Sequence, residues 1–291
     1  MIELNNTIYC EGEGVPLVLV HAFPVDHRMW DGCAGRIAAR AKAEGIAPVT
    51  IWAPDMPGAG EGTIPDAEST GRVADDGAYL DALDNLADAY VALVREAGYD
   101  KAIWAGLSMG GYVVMDIQRR HPDMVAGLAM CDTKTAPDNA SARANRLAVA
   151  AACESGDTVA PVMGFADATE TDSSFKRSAG GSALLARWIH DQPPKGIAWR
   201  QRMAAGREDL TGQLAKVTAP AVVIGGDKDP FSPPEAMEAL AYAMISTSPQ
   251  LTILDDCGHF SAVEHPDEVA CVLLDLVRRV RGMRHTHVGE A

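Results

Sequence analysis

The sequence predicts an α/β protein with a mostly parallel sheet, helices on both faces and a helical insertion. Three observations lead to this class. Short apolar runs, each stopped by polar, glycine or proline residues, recur along the chain as doubly buried parallel strands do. Amphipathic helical patterns lie between these runs. One long stretch, from about residue 133 to residue 212, carries helical patterns and no convincing strand.

The strands follow in order from the N-terminus. "IELNN" and "TIYCEGEG" are typical of a small hairpin. Because the later runs are apolar throughout rather than alternating, we expect strands buried between two helical layers. Six such runs follow the hairpin, at 16–22, 49–55, 101–107, 125–132, 220–227 and 251–256.

Helices fill the intervals. The segment 76–97 has apolar residues at three- and four-residue steps, and Gly98 follows as a natural C-terminal stop. The residues of that stripe are Tyr79, Leu83, Leu86, Tyr90 and Val94, and 266–281 repeats the pattern. We therefore predict a core of residues 1–132 and 213–284, a helical insertion at 133–212 over one edge of the sheet, and a flexible tail at 285–291.

Composition excludes some partners. The 291 residues carry a formal net charge of −15 with a pI near 4.9, so the mean field repels nucleic acid and anionic membranes. The N-terminus lacks a signal-peptide pattern, and the six scattered cysteines form no C-x-x-C pair. These features predict a cytoplasmic protein with reduced thiols, a monomer or homodimer that acts on a small molecule.

The exit of the run at 101–107 carries a chemical motif. Gly106, Ser108 and Gly110 fit G-x-S-x-G between this strand and a helix. Such a tight turn strains the serine backbone and leaves no room for side chains at the two glycines. It would raise the Ser108 hydroxyl above the carboxyl edge of the sheet, where the Met109 amide and the helix N-terminus could meet an oxyanion. The alternative is a glycine-rich turn with an incidental serine.

A nucleophilic serine needs a base and an acid that orients it. His259 follows the last strand and would therefore lie at the same sheet edge as Ser108. Asp229, in "GGDKDPFSPP", is our choice for the acid. Asp227 is closer to the strand and could instead hold the turn, and Asp132 is a third candidate. The order serine, aspartate, histidine is one of the known chain orders of such triads.

The turn "LVHAFPVDHRMW" completes the predicted site. It would aim the backbone amide of Phe23 toward the serine as a second oxyanion donor beside Met109. We interpret His21 as a residue that holds this loop, with catalytic base as the competing role.

These motifs in this order, together with "APDMPGAGEG", resemble the α/β-hydrolase superfamily across nearly the whole chain. The phrases "HAFPVDHRMW", "CDTKTAPD" and "GHFSAVEHPDE" are most similar to the group that includes 3-oxoadipate enol-lactonases and small carboxylesterases. The resemblance implies an α/β-hydrolase fold with an eight-stranded core and a helical cap at about 133–212. We expect a hydrolase that needs no cofactor, and the sequence has no histidine, cysteine or acidic residues at a spacing typical of metal ligands.

The expected reaction is hydrolysis of a small ester, lactone or related acyl substrate through an acyl-enzyme on Ser108. Bulky cap residues could line the acyl pocket, although residues at helical spacing more often form a cap's own core. These candidates are Trp188, Trp199, Phe165, Met163 and Met203.

Other activities stay open from the sequence. The same constellation resembles cofactor-free haloperoxidases or perhydrolases, aminopeptidases or amidases, and C–C bond hydrolases. A small-molecule receptor or scaffold that retains the triad is the alternative from another class. The intact triad and oxyanion loop favour the enzyme.

Overall fold

Seven strands form one sheet in the computed structural model, which describes residues 1–282. They are β1 Asn5–Cys10, β2 Leu17–Val20, β3 Ile51–Asp55, β4 Ala102–Leu107, β5 Val125–Cys131, β6 Ala221–Gly226 and β7 Gln250–Leu254. The order across the sheet is β1-β3-β2-β4-β5-β6-β7, with β1 antiparallel to β3 and the other neighbours parallel. The predicted α/β class is confirmed, and the predicted tail at 285–291 lies outside the described residues.

Two expectations for the sheet were wrong. Residues 1–282 contain seven strands rather than eight, and the N-terminal segment forms one strand rather than a hairpin. The backbone of β1 finds its hydrogen-bond partner in β3, where Asn5 lies opposite Asp55 and Ile8 opposite Trp52. An edge strand with half-exposed residues is satisfied by this one neighbour and needs no hairpin partner.

Eleven α-helices lie among the described residues. They are α1 Asp31–Ala43, α2 Ala67–Thr70, α3 Ala82–Glu96, α4 Met109–Arg120, α5 Ala140–Gly156, α6 Ser174–Arg177, α7 Ala179–His190, α8 Pro194–Gly206, α9 Pro234–Ala243, α10 Ser261–Glu264 and α11 Pro266–Val280. Helix α1 packs against α11, and α3 against α4. Across residues 1–282, no helix is long and apolar enough to cross a membrane.

One predicted helix is shorter than expected. Helix α3 begins at Ala82 and not at residue 76, although its apolar face is buried as predicted. Tyr79 pairs with Val73 in an isolated β-bridge, and its amide donates to the carbonyl of Arg202 at 3.1 Å. This contact with α8 holds the preceding segment in an extended conformation and so delays the start of the helix.

The fold brings several loops to one edge of the sheet. Strands β2, β4 and β6 are buried at every residue, as expected for the interior of a parallel sheet. Because parallel strands end at the same edge, the loops after β2, β4, β5, β6 and β7 meet there. Between β5 and β6, residues 133–212 form helices and no strand, and α5 packs against α8.

Candidate active site

The turn between β4 and α4 has the strained geometry that its glycines predict. Ser108 has φ 55° and ψ −111°, outside the regions that L residues usually adopt. A Cβ on Gly106 would overlap the carbonyl of Gly110, and one on Gly110 would overlap the carbonyl of Val20. The Ser108 amide donates to the carbonyl of Cys131 at 2.9 Å. The backbone therefore fixes the position of the serine.

The structure brings Ser108, His259 and Asp229 together. Nε2 of His259 lies 2.8 Å from Oγ of Ser108, and Nδ1 lies 2.8 Å from Oδ2 of Asp229. Because a carboxylate only accepts hydrogen bonds, Nδ1 donates to Asp229 and Nε2 is left to accept from the serine hydroxyl. The imidazole is 7% exposed and packs edge-on against Phe231, with the ring centroids 4.9 Å apart. This chain of contacts can carry a proton away from Ser108.

The two other candidate acids have different partners. Oδ1 of Asp227 accepts from the Cys257 amide at 3.1 Å and so ties β6 to the loop after β7. Oδ1 of Asp132 accepts from the Gly226 amide at 3.1 Å. Burial and the nearby Asp229 carboxylate raise the pKa of Asp132 well above its usual range. Of the three carboxyls, Asp229 is the one placed against the imidazole.

The loop after β2 lies beside Ser108. Nδ1 of His21 contacts the carbonyl of Ala22 at 2.9 Å, and Nε2 accepts from the Met56 amide at 2.8 Å. Full burial lowers the pKa of His21 to about 4, which keeps the ring neutral and suits this bridging role. The loop aims Phe23 into the cavity that contains Ser108.

Two amides are available near the serine. Among residues 1–282, the Phe23 amide has no protein acceptor. Met109 is the first residue of α4, so its amide is one of the helical N–H groups that lack an intrahelical acceptor. Both residues line the same cavity as Ser108 and His259. This arrangement can accept an oxyanion at the helix N-terminus.

A buried arginine that the sequence analysis missed holds the loop after β2. Arg200 of α8 is fully buried, and its Nη1 donates to the carbonyl of Val25 at 2.9 Å. Nη2 donates to the side chain of Gln192 at 3.0 Å, and the guanidinium lies 5.7 Å from the centre of the Phe23 ring. Burial lowers its pKa to about 10, so it stays protonated near neutral pH. The Arg200 side chain thus connects α8 to the loop after β2.

Above Ser108 lies a cavity of about 310 Å³. Of the predicted pocket residues, Phe165 lines it and the other four do not. Trp188, a residue of α7, is buried and lines a different surface groove, and Trp199 donates its indole N–H to Thr70 at 3.0 Å. Met203 is fully buried, and Met163 packs against the core. These four side chains take part in the packing of the helical segment, as bulky residues at helical spacing more often do.

The cavity has polar residues that the sequence analysis did not single out. Helix α5 turns one face toward it, formed by Ala142, Asn145, Arg146 and Val149, which we call the α5 wall. These positions follow the i, i+3, i+4, i+7 spacing of a single helix face. Lys134 and Asp138, from the segment before α5, also line it. In the sequence, these charged residues have the same pattern as those on the solvent-exposed face of an amphipathic helix. Nothing in the sequence therefore distinguishes them from ordinary surface residues.

The chain belongs to the alpha/beta hydrolase family, whose model matches residues 17–270. A pimeloyl-[acyl-carrier protein] methyl ester esterase of Aromatoleum aromaticum is 31% identical over 198 residues, which cover 62% of this chain and 75% of that protein. The family and its esterase relatives identify the protein as an enzyme of the hydrolase class. The predicted resemblance is confirmed.

Solved structures agree with the fold. A malate-bound thermophilic esterase of Thermogutta terrifontis has a TM-score of 0.78 and 30% identity, over 95% of this chain and 94% of that one. The enol-lactonase of Burkholderia xenovorans LB400 has a TM-score of 0.72 at 19% identity, over 94% of this chain and 96% of that one. At that identity the second likeness shows the fold alone.

Proposed function

We propose that the protein is a serine hydrolase that cleaves a small carboxylic ester or lactone through an acyl-enzyme. The observation that carries this proposal is the pair of 2.8 Å contacts that link Ser108, His259 and Asp229 at the mouth of one cavity. The esterases among its relatives and structural neighbours support the same reaction class.

In this mechanism the Oγ of Ser108 attacks the carbonyl carbon while Nε2 of His259 takes the hydroxyl proton. Asp229 accepts from Nδ1 and stabilises the imidazolium that forms. The amides of Phe23 and Met109 receive the tetrahedral oxyanion. The intermediate then collapses, and His259 returns the proton to the departing alkoxide.

Deacylation repeats these steps with water. His259 takes a proton from water as its oxygen attacks the acyl carbon, and the second intermediate releases a carboxylic acid and Ser108. In our proposal the helical segment 133–212 acts as a cap that limits access of bulk water and selects the substrate. The six unpaired cysteines support a reducing compartment, the cytoplasm.

The test is hydrolysis of a series of p-nitrophenyl esters of increasing acyl length by the wild type and by Ser108→Ala. We expect turnover with a chain-length preference in the wild type and a fall of kcat by roughly 10³-fold or more in the variant. Ser246→Ala is the matched control, at an exposed serine whose hydroxyl donates to the Ala215 carbonyl at 2.6 Å. Equal activity of wild type and Ser108→Ala would refute the proposal.

A further inference from the structure

We propose that the cavity binds an anionic group of the substrate, remote from the scissile carbonyl, through Arg146 with support from Lys134. This inference rests on the proposed function and narrows its substrate class to esters or lactones that also carry a carboxylate. Both cations line the same cavity as Ser108 and His259.

The lining of the cavity combines apolar and charged groups. Beside His259 it is aromatic, since the Phe231 ring lies 4.9 Å from the imidazole and Phe165 stacks on Phe231 at 5.5 Å. The α5 wall and the segment before it add charged and amide groups to the same cavity. A wholly hydrophobic acyl chain would leave those groups without partners and would be desolvated beside them at a cost. A chain that ends in a carboxylate would satisfy them.

The Arg146 guanidinium is held in place and still has free donors. Its Nε and the Asp138 carboxylate form a short ion pair, and Nη1 donates to Oε1 of Gln201 at 2.8 Å. Among residues 1–282, Nη2 has no protein acceptor. An arginine fixed by two partners loses little entropy when it binds a further anion. Arg146 is therefore preorganised for a carboxylate in the cavity.

The local charge is positive although the whole chain is acidic. Asp138 is the shared partner of three cations, Lys134 at 3.7 Å, Arg207 at 2.8 Å and Arg146. Burial opposes ionisation of Asp138, but hydrogen bonds from Arg207 and Arg146 hold its pKa well below the usual range. One negative charge therefore lies among three positive ones. Asp132 also lines the cavity, but its raised pKa favours the neutral acid. A protein with a net charge of −15 thus has a cationic patch beside its nucleophile.

Removal of Arg146 does not leave a buried carboxylate unpaired. Arg207 donates to Asp138 from Nη1 at 2.8 Å and from Nη2 at 2.9 Å, and this bidentate pair is independent of α5. Arg146→Gln therefore tests the free donors while the structural ion pair persists. Arg95→Gln is the matched control, because Arg95 is exposed and its one ion pair among residues 1–282 is with Asp123 at 3.5 Å.

The experiment compares p-nitrophenyl esters of linear monocarboxylic acids with p-nitrophenyl monoesters of dicarboxylic acids of the same length, at fixed ionic strength. We expect the wild type to prefer the anionic series in kcat/KM. Arg146→Gln should lower kcat/KM for that series about 10- to 100-fold and leave the neutral series within about 2-fold. Arg95→Gln should change neither series. A second comparison uses esters whose alcohol part either carries a carboxylate or lacks one. It shows whether the anion that Arg146 binds lies on the acyl side or on the alcohol side of the scissile bond.

Calorimetric binding of glutarate, with butyrate as the neutral-tail comparison, gives a readout without turnover. We expect glutarate to bind the wild type more tightly than butyrate and to lose at least about 10-fold in affinity in Arg146→Gln. If the wild type cleaves neither series, the proposed function fails and the calorimetry alone decides this inference. The inference would be overturned if the wild type had equal kcat/KM or affinity for neutral and anionic compounds. It would also be overturned if Arg146→Gln kept the wild-type preference for the anionic ones.

Discussion

The sheet edge, which carries Ser108, His259 and Asp229, and the α5 wall both contribute to the lining of one cavity but are held by different means. Backbone contacts fix the sheet edge, where the Ser108 amide donates to the Cys131 carbonyl at 2.9 Å and its own carbonyl accepts from the Thr133 hydroxyl at 2.6 Å. On the α5 wall, side-chain contacts to Asp138 and Gln201 hold Arg146. A substitution on α5 can alter the lining of the cavity without moving the nucleophile.

This contrast separates reaction type from substrate choice. Positions held by backbone geometry tolerate few residues, because the close approach of neighbouring chains excludes side chains. Positions held by side-chain pairs can change with their partners. We therefore expect substitutions at the sheet edge to change the rate for every substrate, and substitutions on the α5 wall to change only the preference among substrates.

The largest effect should come from the carboxyl behind the histidine. Asp229→Asn would place an amide against Nδ1, which disturbs the tautomer that accepts the serine proton, and we expect kcat to fall about 10³-fold or more. Asp132→Asn is the control, since its oxygens accept from the amides of Gly226 and Ser261 and do not contact His259. It should reduce kcat less than about 10-fold. Steady-state kinetics with one neutral ester measures both, and an equal loss in the two variants would contradict the assignment.

A glycine pair tests the backbone control of the sheet edge. Gly110 and Gly180 are each the second residue of a helix, α4 and α7. A Cβ at Gly110 would overlap the Val20 carbonyl, whereas one at Gly180 meets no atom within 4 Å. We expect Gly110→Ala to lower the free energy of unfolding by about 3 kcal/mol and Gly180→Ala to change it by less than about 1 kcal/mol. Urea denaturation measures the free energy of unfolding of both variants. Similar values for Gly110→Ala and Gly180→Ala would show that the turn can accommodate a Cβ at Gly110.

The smallest effect should come from the contact between α8 and the oxyanion loop. Arg200 forms no ion pair within residues 1–282, so Arg200→Met removes a buried charge while it keeps the volume filled. The Val25 carbonyl then loses its donor and the Phe23 amide becomes less well placed. We expect kcat to fall about 10-fold with a smaller change in KM.

The control for this substitution lies two residues further along the same helix. Arg202 pairs with Glu154 and donates to the Gly77 carbonyl, away from the oxyanion loop. Arg202→Met should leave kcat within about 2-fold. A loss in KM alone for Arg200→Met would indicate a role in substrate binding rather than in positioning the loop.

The sequence predicted the parts of the molecule that local geometry dictates. The G-x-S-x-G turn, the loop after β2, and the positions of Asp229 and His259 depend on tight turns after buried strands, which leave a local pattern. Two predictions were wrong because contacts distant in sequence decide them. The pairing of β1 with β3 replaces the predicted hairpin and its extra strand, and the contact of Tyr79 with Arg202 shortens α3. Such pairings have no local pattern.

The lining of the cavity was largely missed for a related reason. Trp188 and Trp199 have the size and apolarity of pocket residues, but their orientation depends on how the helices pack. Arg146 and Arg200 look alike in the sequence, yet one faces the cavity and the other is fully buried. Polar contacts with segments distant in sequence, to Asp138 for Arg146 and to the Val25 carbonyl for Arg200, decide such positions. Periodicity within one helix does not reveal them.

Covalent capture of Ser108 tests whether this residue is the nucleophile. A fluorophosphonate probe reacts with an activated serine, forming an O–P bond as fluoride leaves and the proton passes to the base. Peptide mass spectrometry should find one phosphonyl group per chain, on Ser108, with hydrolysis lost in proportion to labelling. Labelling should be absent from Ser108→Ala. Full hydrolysis after complete labelling, or a phosphonyl group on another residue, would contradict the account.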